Sequence, residues 1–182
     1  PNKILNLIKA KNFGFKVPKF IFFHSEYFKK NPDSTLKQIR TTFKNEKSLI
    51  LRSAAYDEDT LLSNAGKYDS FLVNNDEKIP NKLDLIFEKY KKKGGYIIVQ
   101  KYVDDSLFNG VVFTKDPDGC GNYITINFYK GKSTKKITSG SINGNYFVFF
   151  SKTKISNIKN SYLKKIVKIS LEIQNKFKSN NL

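Results

Sequence analysis

A buried strand that ends in an arginine is the feature of the sequence best suited to chemistry. Residues 48–51 form an apolar run, and Arg52 follows them at the start of a small and polar stretch over 53–67. A strand end aims a guanidinium in one direction, and its planar fork of N–H groups matches the oxygens of a phosphate. Arg52 is therefore predicted to bind phosphate. The alternative is a surface loop in which Arg52 pairs only with Glu58 or Asp59.

The stretch after Arg52 contains further groups suited to an anion. Ala65-Gly66 allows backbone N–H groups to approach phosphate oxygens closely. Ser63 and Lys67 flank this pair and offer a hydroxyl and a positive charge. We therefore expect this stretch to form part of the same phosphate-binding site.

Other reactive side chains are scarce. His24 is the only histidine and follows an apolar run over 20–23, and Cys120 is the only cysteine. A zinc site, a Ser-His-Asp triad and an internal disulfide therefore have little support. We expect a structural or surface role for His24, and we assign no metal ligands.

The net charge of +17 raises the question of nucleic-acid binding. The lysines are scattered along the chain instead of forming one cluster. This distribution favours a solvated surface over a nucleic-acid interface, with some of the lysines binding anionic phosphates. No apolar run approaches the roughly 20 residues that span a bilayer, and no secretory signal pattern is present, so a cytoplasmic location is predicted. The chain begins at Pro1 and has no methionine, which suggests a fragment.

The rest of the pattern mixes helices with strands. Helical spacing of apolar residues predicts four helices, over 2–13, from Pro32 to Phe43, over 81–92 and over 160–178. Apolar or alternating runs predict seven strands, over 20–23, 48–51, 68–73, 96–103, 110–114, 123–128 and 146–150. The turn pairs Asp118-Gly119 and Asn143-Gly144 connect the later strands as hairpins. The sequence therefore predicts an α+β fold with a largely antiparallel sheet flanked by helices.

Four segments together resemble the N-terminal ATP-grasp domain of the pyruvate phosphate dikinase and phosphoenolpyruvate synthase family. They are Lys3 to Leu7 with Gly14-Phe15-Lys16-Val17-Pro18, Leu51 to Asp59 with Ser63 to Ser70, Ile97 to Val103, and Gly110 to Pro117. The segments occur in the family's order and spacing, and the resemblance covers nearly all of the 182 residues. Tyr102 stands where the family usually has methionine, and Lys115 stands where it has arginine.

The resemblance implies a role for individual residues. Lys3 and Arg52 would be the catalytic residues and would hold phosphates. The other implied ATP contacts are Ser63, Gly66, Lys67, Thr114 and Lys115 at the phosphates, and Gln100, Tyr102 and Val103 along a hinge strand whose backbone pairs with the adenine edge.

The resemblance also implies a function. The chain would be a partial ATP-grasp fold with one part over 1–105 and a second over 106–182. It would bind ATP with Mg²⁺, whose ligands are expected beyond Leu182, so the fragment alone would be inactive. The parent enzyme would phosphorylate a carrier histidine, converting ATP to AMP and phosphate overall, for transfer by an acceptor domain to pyruvate, a glutamine amide, a glucan or an antibiotic. The alternative is a degenerate nucleotide- or RNA-binding module without catalysis.

Overall fold

A computed structural model describes residues 1–54, 70–74, 79–88, 90, 94–115, 121–131 and 144–177. The chain divides into two compact units, Pro1–Val103 and Asp104–Leu182. Within the described ranges, no helix is both long enough and apolar enough to cross a membrane.

The first unit consists of helices on both faces of one antiparallel sheet. Its helices are α1 (Asn2–Asn12), α2 (Ser25–Lys30), α3 (Pro32–Thr42) and α4 (Ile79–Glu88), and its strands are β1 (Phe20–His24), β2 (Ser48–Ala54), β3 (Ser70–Asn74) and β4 (Tyr96–Lys101). The strand order is β1-β4-β2-β3, and each neighbouring pair is antiparallel. β4 is the last of these strands in sequence, yet it lies at the centre of the sheet between β1 and β2.

The two faces of this sheet carry separate hydrophobic clusters, because successive side chains of a strand point to opposite sides. On one face, Leu51 packs with Ile39 in the cluster that α2, α3 and α4 cover. On the other face, Ile4 of α1 packs with Ala54 and Ile98. Burial of one Leu or Ile side chain contributes roughly 1.5–3 kcal/mol, so both faces stabilise the unit. α1 is thereby fixed over the ends of β2 and β4.

The second unit is a three-stranded antiparallel sheet covered by a helix. Its strands are β5 (Phe108–Phe113), β6 (Tyr123–Lys130) and β7 (Asn145–Phe150), followed by a 3-10 turn at Ile155–Asn157 and by α5 (Ser161–Phe177). Ile124 and Ile126 of β6 are buried in a cluster with Val167 of α5, whereas Tyr123 is 42% exposed. Such one-sided burial is typical of a strand in which apolar and polar residues alternate.

The predicted α+β class with mostly antiparallel sheets is confirmed, but several element boundaries were wrong, including that of β4, which ends at Lys101 instead of residue 103. β2 continues beyond Arg52 to Ala54, because the small residues Ser53 and Ala54 still pair with β4. β5 begins at Phe108 instead of Gly110 and ends at Phe113, so that Thr114 follows the strand. α4 ends at Glu88 instead of residue 92.

The sequence pattern also missed α2, a helix of 6 residues that is too short to show a helical period. Its N-cap is His24, whose Nδ1 accepts a hydrogen bond from the backbone N–H of Glu26 at 3.2 Å. The imidazole also packs edge-on against the ring of Tyr96, with 4.9 Å between the ring centroids. His24 therefore has a structural role.

This cap can be tested with two substitutions that both remove the imidazole ring. His24→Asn keeps a side chain that accepts the N–H of Glu26, whereas His24→Ala leaves that donor without its partner. We expect His24→Ala to unfold at lower urea concentration than His24→Asn, with a difference of about 1 kcal/mol in the free energy of unfolding. Equal stability of the two variants would show that the hydrogen bond does not contribute.

Candidate functional site

One of the predicted phosphate-binding residues, Lys3, contacts the end of β2 at the residue after Arg52. Lys3, in the first turn of α1, places its Nζ 2.8 Å from the backbone carbonyl oxygen of Ser53, to which it donates a hydrogen bond. The contact joins residues 50 positions apart in sequence. It brings the ammonium of Lys3 to the residue that directly follows Arg52.

The strand register shows on which face Arg52 lies. Arg52 pairs with Ile98 of β4, and Ile98 belongs with Ala54 to the cluster under α1. Side chains two residues apart on a strand share a face, so Arg52 leaves the sheet on the side of α1. Arg52 is partly buried and has interaction partners within the protein. It directly precedes Ser53, the residue whose carbonyl Lys3 contacts.

Gln100 lies on the same face, two residues after Ile98 on β4, and is only 6% exposed. Its backbone is flanked by Phe20 of β1 and Ile50 of β2. The main chain of Gln100 therefore lies inside the sheet with a strand on each side. Gln100, one of the predicted hinge residues, could therefore contact a ligand through its side-chain amide. Its main chain is paired with strands on both sides and is not at an edge of the sheet.

The main chain leaves the sheet after β4. The backbone N–H of Tyr102 donates to the carbonyl oxygen of Ser48 at 3.0 Å, and Val103 is 43% exposed. Tyr102 and Val103 therefore lie beyond Lys101, the last residue of β4.

The other predicted contacts lie in the second unit or outside the described residues. Thr114 and Lys115 follow β5 in the second unit, where Thr114 is 5% exposed and has interaction partners, and Lys115 is partly buried. Ser63, Gly66 and Lys67 lie outside the described residues, as do Glu58 and Asp59. Among the residues that the structure describes, no group of three or more His, Cys, Asp or Glu side chains is arranged to hold a metal ion.

Comparisons with known proteins give the fold. No family model matches the sequence, and no curated protein matches it. The structure is similar to that of D-alanyl-alanine synthetase A from Vibrio cholerae, an ATP-grasp enzyme, with a TM-score of 0.50 and 13% sequence identity. The likeness covers 95% of this chain and 46% of that chain. The fold is ATP-grasp-like. The chain thus spans less than half of the enzyme that it resembles.

One residue of this ATP-grasp-like chain was misread in the sequence. Tyr90 falls within the predicted helix over 81–92, but it follows α4, where its N–H donates to the carbonyl of Phe87 at 3.0 Å. Its ring is buried in the core, as an apolar stripe residue would be. Its hydroxyl, however, accepts a hydrogen bond from the backbone N–H of Ala54 at 3.0 Å and donates to the carbonyl of Tyr96. The sequence signal for a helix that ends early is the pair Gly94-Gly95, which separates the helix from the next strand.

Proposed function

We propose that this ATP-grasp-like chain is the ATP-binding portion of a phosphotransferase, in which Lys3 and Arg52 contact the phosphates. The observation that carries the proposal is the hydrogen bond from Lys3 to the carbonyl of Ser53. The sequence resemblance assigned Lys3 and Arg52 to one site, although they lie in separate segments. The hydrogen bond brings the ammonium of Lys3 to the residue that follows Arg52, and two cations near one strand end would suit a phosphate.

Composition supports a specific role for Arg52. Of the 33 lysine and arginine residues, only Arg40 and Arg52 are arginine. In a chain that uses lysine at nearly every basic position, a planar cation capable of bidentate hydrogen bonding stands at the end of β2. Arginine is preferred where two phosphate oxygens are bound at once, since lysine offers only a point charge.

In the finer form of the proposal, the parent enzyme is a dikinase-type phosphotransferase. Ser63, Gly66, Lys67, Thr114 and Lys115 would complete the phosphate contacts, and Gln100, Tyr102 and Val103 would lie along the adenine. Support comes from the order and spacing of the four sequence segments. Mg²⁺ would supply charge neutralisation of the transferring phosphoryl group, and the described residues offer no ligand cluster for it. The carrier histidine and the acceptor would belong to further domains.

The coarse proposal is tested by thermal unfolding of the chain with Mg·ATP, AMP or single-stranded RNA. We expect stabilisation by Mg·ATP, which amounts to ~2.7 kcal/mol at about one hundred times the Kd. Lys3→Met should reduce the stabilisation at the same ATP concentration, because one phosphate contact is lost. Lys9→Met is the matched control, since it removes the same charge from the exposed last turn of α1, and it should leave the stabilisation unchanged.

The other outcomes discriminate between functions. Stabilisation by RNA and not by adenine nucleotides would contradict the phosphotransferase proposal and favour a basic RNA-binding module. Equal losses in Lys3→Met and Lys9→Met would point to general charge and not to a site. If the dikinase form is right, the parent enzyme should convert ATP to AMP and phosphate and should carry a phosphohistidine. Absence of the phosphohistidine would contradict the dikinase form but not the coarser proposal of ATP binding.

A further inference from the structure

The last residues of β2 are held from two sides at the point where the proposed phosphate site begins. From the side of α1, Lys3 binds the carbonyl of Ser53 at 2.8 Å. From the opposite core, the hydroxyl of Tyr90 receives the N–H of Ala54 at 3.0 Å. Ser53 is 2% exposed and Ala54 is fully buried, so water does not compete for these backbone groups. Both contacts fix the backbone directly after Arg52.

Tyr90 also joins two strands. Its hydroxyl donates to the carbonyl of Tyr96, and Tyr96 is the residue that pairs with Ala54 at the end of the ladder between β2 and β4. One side-chain oxygen therefore bridges the final pair of these strands. This buried hydroxyl both accepts and donates a hydrogen bond. Movement away from either partner would leave a buried polar group without a hydrogen bond, so the two contacts favour one arrangement of the strand ends.

The ring of Tyr90 is itself fixed. It packs against Phe87, with 6.3 Å between the ring centroids, and is 5% exposed. A Cβ placed on Gly95 would lie 2.9 Å from ring atoms of Tyr90, so only glycine leaves room for the ring at this distance. The hydroxyl therefore cannot move away from Ala54 without a rearrangement of the core.

From these contacts we propose that Tyr90 is a positioning residue of the nucleotide site, whose hydroxyl fixes the end of β2 so that Arg52 meets the phosphates in a binding-competent orientation. This inference rests on the proposed function. In this proposal Tyr90 does not contact ATP. It acts through Arg52, which lies two residues before Ala54, whose N–H the Tyr90 hydroxyl accepts.

The test is a double-mutant cycle on ATP affinity, measured by titration calorimetry with Mg·ATP on the 182-residue chain. Tyr90→Phe keeps the ring and removes only the hydroxyl, and we expect it to raise the Kd for ATP about fivefold, the factor that corresponds to loss of one net hydrogen bond. In an Arg52→Ala background the same change should have little further effect, since its influence passes through Arg52.

Thr35→Val is the matched control. Thr35 is fully buried, and its hydroxyl donates to the carbonyl of Asn31 at 2.9 Å, so the substitution removes a similar hydrogen bond from the same unit at α3. We expect Thr35→Val to lower the melting temperature comparably to Tyr90→Phe while leaving the Kd for ATP unchanged. Should Tyr90→Phe fold poorly, Gly95→Ala, which displaces the ring but keeps the hydroxyl, should also weaken ATP binding.

The outcomes separate this inference from the proposed function. If the wild-type chain binds ATP, Arg52→Ala weakens it, and Tyr90→Phe does not, then the positioning role is wrong and the proposed function stands. Additive effects of Arg52→Ala and Tyr90→Phe would likewise overturn the coupling. Failure of the wild-type chain to bind ATP would overturn the proposed function, and this inference with it.

Discussion

Replacement of Arg52 with alanine is expected to weaken Mg·ATP binding by about 10- to 100-fold, because hydrogen bonds to a charged group contribute about 1.5–3 kcal/mol each. Arg52→Lys keeps the positive charge but not the bidentate geometry, and we expect its affinity to lie between those of wild type and Arg52→Ala. Calorimetric titration with ATP measures both. The loss of affinity should be largest for ATP and small for adenosine, which has no phosphate that Arg52 could bind.

Arg40→Ala is the control for Arg52→Ala. Arg40 is the only other arginine and lies exposed in the last turn of α3. Its loss changes the net charge equally, so a general effect of charge would appear in both variants. If the two variants lose ATP affinity to the same extent, Arg52 does not bind phosphate.

Replacement of Gly110 with alanine is expected to destabilise the second unit by about 3 kcal/mol, at the upper end of the usual cost of overpacking. A Cβ at this position would lie 2.5 Å from the backbone oxygen of Asn127 and 3.0 Å from Cα of Phe128. Both atoms belong to the backbone of β6, so relief requires the two strands to separate. Hydrogen exchange of the peptides from β6 should accelerate in this variant.

Gly14→Ala gives the comparison for Gly110→Ala. Gly14 has nothing within 4 Å of the position that a Cβ would occupy, and its φ is +84°. Its substitution therefore carries only the cost of a left-handed backbone, about 1–2 kcal/mol, in the first unit. Hydrogen exchange of β6 should stay at the wild-type rate. Unchanged exchange in Gly110→Ala would contradict the close approach of β5 to β6.

Gly110 illustrates what the sequence could and could not predict. Its place in a Gly-Val-x-Phe-Thr motif was visible, and so was an antiparallel strand nearby. The reason for the glycine was not visible, because it depends on the register that sets Gly110 opposite Phe128. Local pattern likewise placed the start of β5 two residues late, since the pairing of Phe108 with Lys130 is a contact between distant residues.

The candidate site divides in the same way. Arg52 was proposed from a buried strand followed by small residues, and Lys3 from its place in a family motif, and both assignments stay predictions. The contact of Lys3 with the carbonyl of Ser53 could not be predicted from spacing, because it requires α1 to pack across Ala54 and Ile98. The role of the Tyr90 hydroxyl was hidden for another reason. A tyrosine in an apolar run has the same periodicity as any core residue, and its polar end is specified only by tertiary contacts.

The central position of β4 has a consequence for how the protein is made. Lys3, Arg52 and Gln100 come from α1, β2 and β4, and β4 joins its two neighbours only after the chain from residue 20 to residue 101 has been synthesised. Pairing over such long sequence separations is slow, because the entropy of loop closure is lost before the contacts form. A nascent chain that ends before Tyr96 holds β1 and β2 without the strand between them. In refolding, the appearance of ATP binding should therefore coincide with insertion of β4 and not with the earlier formation of helices.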